Sequence, residues 1–267
     1  MVIAKFEYKL FLSEAIGTAL LLFGGLSIVI FNWGEGSVVA KLIPAPLVRT
    51  ILTGFMFGCV GCLVSLSPVG RISGAHINPA VSIAFWLRGK MKTNAMIGYI
   101  VGQMLGAAAG CVPLIWIWGQ QGASIQYGIT LPGKAGVGIA FLSEVLATAS
   151  LIFYLYIFIS RKKLRNYTPY GIPILYSILN IPFAARSGDS TNPARSFGPA
   201  VITANFSHYW LYWVAPVVGV ILVTLYFKRR RVNQAYRIES ARISYHDSPT
   251  PESLKTGELT EEVFALP

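Results

Sequence analysis

Charge of either sign is scarce in this sequence. Asp, Glu, Lys and Arg make up only 12% of its 267 residues, whereas a soluble domain carries about 25%. The acids are the scarcer kind, 11 against 22 basic residues, and histidine occurs three times. So few carboxylates and imidazoles leave little from which to build a metal centre or an acid–base pair. No nucleophile–base set and no phosphate-cradling loop stands out either. Neither an enzyme nor a bound cofactor is expected. Cysteine is nearly missing too: Cys59, Cys62 and Cys111 all fall inside apolar runs. The Cys59-x-x-Cys62 spacing lacks the further Cys or His ligands of a metal site, so the three read as small buried hydrophobes.

What is abundant is apolar sequence, 54% of the chain. Residues 10–31, 97–118, 137–160 and 208–227 are runs near the ~20 residues with which a helix crosses a bilayer. Residues 47–64 and 171–184 are less clean runs of the same kind. Six spans predict an all-α, multi-pass membrane domain with the lipid bilayer as its surroundings. No small-residue cleavage site follows the first run, which therefore reads as a retained span and not a signal peptide.

The net charge of +11 suggests nucleic acid, but its distribution argues against that partner. Lys5 and Lys9 precede the first span, Arg88, Lys90 and Lys92 follow the second, Arg161–Arg165 follow the fourth, and Lys228–Arg231 follow the sixth. Basic residues thus cluster on alternate loops, and the positive-inside rule puts both termini in the cytoplasm. The expected organisation is a cytoplasmic head over 1–9, a membrane domain over 10–230 and a polar, disordered cytoplasmic tail over 231–267.

The chain also repeats itself. "FLSEAIGTALLLF" starts at Phe11 and "FLSEVLATASLIF" at Phe141, 130 positions later. "HINPAVS" contains Asn78 and "STNPARS" contains Asn192, 114 positions apart. "YIVGQMLG" and "YWVAPVVG" start at Tyr99 and Tyr212. Three similar pieces recur in one order, so the halves are about 10–118 and 137–230. Three spans per half is odd, so the second half enters the membrane from the opposite side. Such inverted repeats place a functional site near the midplane, between the halves.

The segments 78–87 and 192–203 are too short to span. Asn is a good helix N-cap, and Pro is tolerated at the first helical position. Asn78-Pro79-Ala80 and Asn192-Pro193-Ala194 therefore each start a half-helix. Entering from opposite faces, their N-termini meet at mid-membrane, each with about half a positive charge from the helix dipole. Two asparagine amides add donors. This suits a neutral solute that accepts hydrogen bonds and repels cations and protons. The loops ahead of the half-helices must line a cavity or be buried in protein. Their carbonyls, at Gly74, Ala75, His76 and Ile77 and at Gly188, Asp189, Ser190 and Thr191, are candidate acceptors along the path. Glu14 and Glu144 occupy equivalent places in the two FLSE repeats. Two readings stand: a proton relay, or carboxylates that each cap the N–H groups of their own loop, which the repeat symmetry favours.

"SGAHINPAVS" and "NPARSFGPAV" resemble the two signature segments of the aquaporin, or major intrinsic protein, family, and the resemblance runs from Phe11 to Phe227. It implies six tilted helices with two re-entrant half-helices, one pore per subunit, homotetramers, and a passive channel for water. "GYIVGQMLGAAAG" carries Gly98, Gly102, Gly106 and Gly110 at spacing four, which permits close helix contact within or between subunits. Ser196 follows Arg195, where glycerol channels carry Asp, and this favours the water branch. The plasma membrane is the expected location.

The resemblance also implies a narrow ring on the outer side. Arg195 matches its arginine. Asp189, three before Asn192, falls where small residues are usual. On the second span the Phe-Gly match gives Phe57, and ungapped counting gives Gly58. On the fifth span, five residues before Pro182, Ser177 falls where water channels carry histidine. The missing histidine widens the ring. Asp189 either pairs with Arg195 or is turned from the pore. These departures open the pore to small neutral solutes such as glycerol, urea or hydrogen peroxide. Two other classes remain: a secondary active transporter of a small polar solute, and a structural membrane protein with a closed pore.

Overall fold

The computed structural model describes residues 2–229, with side chains from residue 8 onward. The expected tail over 231–267 lies outside the described residues, as does the end of the Lys228–Arg231 cluster. Among the described residues all regular structure is helical: α1 Val2–Trp33, α2 Val38–Leu42, α3 Pro46–Leu66, α4 Pro68–Ser73, α5 Pro79–Leu87, α6 Thr93–Ala123, α7 Val137–Ser160, α8 Lys162–Arg165, α9 Thr168–Ser187, α10 Pro193–Thr203 and α11 Leu211–Arg229. Helix α1 begins at Val2 and runs without a break to Trp33. Four helices, α3, α4, α5 and α10, open on proline at the first position. There the missing N–H has no intrahelical partner to lose.

Six helices are long, and α1, α3, α6, α7 and α11 are also apolar enough to cross a membrane. The sixth, α9, has 20 residues but carries Pro169, Pro173, Pro182 and Arg186. Its lower apolarity follows from its position, packed between α3 and α7 with one face on the interior cavities. The short α5 and α10 are the two half-helices, buried among the long ones. The outward faces carry exposed Leu63, Leu105, Trp116 and Ile174. In water such a surface would be unstable; in lipid it is the ordinary outer face.

The halves repeat in space as in sequence. Helix α1 lies against α6, and its counterpart α7 lies against α11. A Cβ added at Gly102, Gly106 or Gly110 would run into the α1 backbone at Phe11, Ala15 and Ala19, while Gly98 faces open space. Three of the four spaced glycines therefore serve contact within the chain. In the other half, a Cβ at Gly219 would meet the Val145 carbonyl 2.6 Å away.

Candidate functional site

Asn78 and Asn192 cap the half-helices, and each also reaches across to the other half. The Asn78 Oδ1 accepts the Ala80 N–H at 2.8 Å, and its Nδ2 donates to the Thr191 carbonyl at 3.0 Å. The Asn192 Oδ1 accepts the N–H groups of Ala194 at 3.0 Å and Arg195 at 3.3 Å, and its Nδ2 donates to the Ile77 carbonyl at 2.9 Å. The two helix N-termini are thus joined by a reciprocal pair of hydrogen bonds. One N–H of each amide is engaged there and the other remains. Both asparagines line an inner cavity of about 80 Å³.

The loops ahead of them have one shape. Each leaves its helix through a left-handed glycine, Gly74 at φ 86° and Gly188 at φ 87°. Each then carries two non-glycine residues at positive φ: Ala75 (49°) and Ile77 (42°), and Asp189 (46°) and Thr191 (52°). For the β-branched Ile77 and Thr191 this is a strained conformation, of order 1–3 kcal/mol each.

A carboxylate holds each loop in that shape. Glu14 accepts from the His76 N–H at 2.9 Å, the Ile77 N–H at 2.7 Å, the Ser73 hydroxyl at 2.6 Å and the Gln103 amide at 2.6 Å. Glu144 accepts from the Ser190 N–H at 2.8 Å, the Thr191 N–H at 2.8 Å and the Ser187 hydroxyl at 2.7 Å. Both are fully buried, and neither lines the inner or the outer cavity. This is the geometry the capping reading requires. Tyr99 and Tyr212 complete the matching sets, donating to the carbonyls of Ser73 and Ser187, each at 2.8 Å. Sequence reasoning assigned no role to Ser73, Ser187, Tyr99, Tyr212 or Gln103. The two serines stand 114 positions apart, so the repeat spacing already held the signal for them. Gln103 has Pro216 at the matching place and left no such trace.

Above the inner cavity lies an outer one of about 270 Å³. Phe57, Tyr176, Ser190 and Arg195 line both and so form their junction. The Arg195 guanidinium donates to the Gly128 carbonyl at 2.7 Å and lies 6.0 Å from the centre of the Phe57 ring. Gly25 makes room for that ring, since a Cβ there would stand 2.5 Å from it. Gly58, the ungapped alternative to Phe57, lines the inner cavity only.

Two expected ring members require correction. The Ser177 hydroxyl donates to the Ile51 carbonyl of α3 at 3.2 Å, and Ser177 lines neither cavity. One residue earlier on the helix, Tyr176 takes that place, its hydroxyl 2.7 Å from that of Thr191. Anchoring the fifth span on Pro182 turned the helix by one residue, about 100°. The pore face of α9 instead runs through Ile172, Tyr176, Asn180 and Ala184, four apart. Asp189 lines the outer cavity but not the junction, where Ser190 stands. Of its two expected arrangements, the pairing with Arg195 is not made: neither carboxylate oxygen has a hydrogen-bond partner.

Of the residues expected to present carbonyl acceptors, Ala75, His76, Ile77, Gly188 and Ser190 line one cavity or both. Gly74 and Thr191 line neither, and the carbonyls of Ile77 and Thr191 are taken by the asparagine amides. The Ser190 hydroxyl donates to the Asn192 carbonyl at 2.9 Å and sits 2.6 Å from the Ser196 hydroxyl, to which Thr130 also donates. Ser190 therefore turns its side chain into the protein. No group of three or more His, Cys, Asp or Glu residues suited to a metal occurs among the described residues.

The family model of the major intrinsic protein matches residues 2–227. "Probable aquaporin TIP2-2" of Arabidopsis thaliana is 31% identical over 225 residues, covering 82% of this chain and 86% of that protein. The "Lens fiber major intrinsic protein" of Lithobates pipiens is 34% identical over 212 residues, 78% of this chain and 75% of that one. Among solved structures, the "aquaglyceroporin from Plasmodium falciparum" superposes with a TM-score of 0.72 at 19% identity, covering 84% of this chain and 96% of that one, a likeness of fold. The members of this family are channels and not enzymes, and they are integral, multi-pass membrane proteins. With its paired half-helices and a match across nearly all of the described residues, the chain belongs to the major intrinsic protein family, the family of the aquaporins.

Proposed function

We propose that the chain is a passive membrane channel that conducts water through one pore per subunit. The observation that carries this reading is the meeting of two half-helix N-termini at Asn78 and Asn192, on the wall of the inner cavity. Two dipole ends and two amide donors orient a water through its oxygen and oppose a cation or a relayed proton. Arg195 adds a fixed positive charge at the junction of the cavities, and Phe57 and Tyr176 narrow it. Glu14 and Glu144 act as loop supports. The names of the relatives, aquaporins among them, support the same reading.

The finer proposals follow from the same pore. Water is the principal solute, with small neutral solutes such as glycerol, urea or hydrogen peroxide able to follow. Residues 10–230 form the channel domain, both termini lie in the cytoplasm, and the subunits associate as homotetramers in the plasma membrane. A secondary transporter would need intramembrane acids that bind and release an ion. Glu14 and Glu144 are both committed to their loops, which favours the channel.

Osmotic shock of proteoliposomes, followed by light scattering, tests the reading. The expected result is fast, non-saturating shrinkage with a low activation energy. A rate equal to that of empty liposomes would overturn it, and saturating, gradient-driven uptake would identify a transporter. Arg195→Ala should retain the water flux and admit solutes or ions that the parent excludes.

A further inference from the structure

The outer cavity holds one group that the channel reading leaves unused. Asp189 is 5% exposed and lines this cavity, and both of its carboxylate oxygens lack a hydrogen-bond partner. Buried polar groups in folded proteins are nearly always satisfied. Leaving one unpaired costs about 1–3 kcal/mol, and more when it is charged. The loop fold does not demand an acid there. The matching residue of the other loop, Ala75, holds nearly the same φ, 49° against 46°, without any side-chain polar group. The carboxylate is therefore extra to the scaffold, and its missing donors must come from whatever occupies the cavity.

The rest of the wall narrows the chemistry of that occupant. Arg195, on the same cavity, is a donor, and one of its nitrogens already serves the Gly128 carbonyl. Trp33, Phe57 and Tyr176 contribute flat aromatic surfaces, and Asn180 adds an amide. Two carboxylate oxygens match two parallel N–H bonds, the pairing that makes guanidinium–carboxylate contacts strong. A planar solute with N–H donors at one end and a carbonyl at the other meets an acceptor pair, a cationic donor and flat walls together. A polyol of the same size must freeze several rotors to do as much.

We propose that Asp189 makes the outer cavity a subsite for planar solutes bearing paired N–H donors, urea and small amides, in preference to polyols. This rests on the channel reading and adds a rank order to it.

The test compares urea with glycerol in proteoliposomes, after the water flux of the same vesicles has been measured. The parent protein should pass urea at least about tenfold faster than glycerol, as one charge-assisted hydrogen bond of about 1.5–3 kcal/mol implies. Asp189→Ala, which copies the inner loop, and Asp189→Asn, which keeps the size but not the charge, should both collapse that ratio towards one. If the alanine variant does not fold, the asparagine variant decides. An unchanged ratio in the variants, or a parent that passes water and neither solute, overturns the subsite and leaves the channel standing. A parent that shrinks no faster than empty liposomes overturns the channel instead.

Discussion

The inner loop over residues 74–78 and the outer loop over 188–192 share one backbone and differ in what they present. Both start at a left-handed glycine and alternate positive φ, and both hang from a glutamate through two N–H groups. Yet the inner loop lines its cavity with Ala75, His76 and Ile77, whereas the outer loop lines its own with Gly188, Asp189 and Ser190. The inner glutamate has four donors, Gln103 among them, where the outer has three. The two loops thus share their backbone and its glutamate support and differ in the residues that face the cavities. The repeated atoms hold the backbone, and the unrepeated side chains set what each cavity wall presents.

Removing the glutamates should break this equivalence most severely. Glu14→Ala leaves four buried donors unmet and Glu144→Ala three. Losses on the order of 5 kcal/mol are expected, with Glu14→Ala the worse. Thermal unfolding and folded yield in detergent measure this; equal losses would mean that the Gln103 contact contributes nothing. The asparagines come next. Asn192 caps two N–H groups and Asn78 one. Asn192→Ala should therefore cost about 2 kcal/mol and Asn78→Ala about 1 kcal/mol. Tyr99→Phe and Tyr212→Phe remove one matched hydrogen bond each, and both melting curves should shift equally, by about 1 kcal/mol. An unequal shift would show that the halves differ in rigidity as well as in lining. The smallest effect belongs to Ser177→Ala. It should leave solute permeability unchanged and cost under about 0.5 kcal/mol, whereas Tyr176→Ala should widen the junction and raise solute flux. The reverse result would return Ser177 to the pore.

The sequence already contained the spans, the half-helices and the glutamate pair, because each follows from a pattern that is local or repeated. Apolar runs of fixed length mark the helices, Asn-Pro marks two starts, and the 114-residue spacing ties one loop to the other. The face of α9 was harder to place. Its three prolines and weak apolarity leave no clean hydrophobic stripe, and one proline used as an anchor rotates the helix past Tyr176. Gln103 was illegible for another reason: its role exists only once α6 lies against α1, and no repeat echoes it.

The crossed amides of Asn78 and Asn192 bear on how the chain is made. The amide of Asn78 finds its acceptor at Thr191, 113 residues further along, and the carbonyl of Ile77 waits 115 residues for Asn192. While the ribosome is still building the second half, the first half-helix has a cap but no clasp. Its loop must be held from within its own half, by Glu14 and Tyr99, until the second arrives. Each half thus completes the other's clasp, and a fragment ending after α6 should insert into the bilayer without ever closing its pore wall.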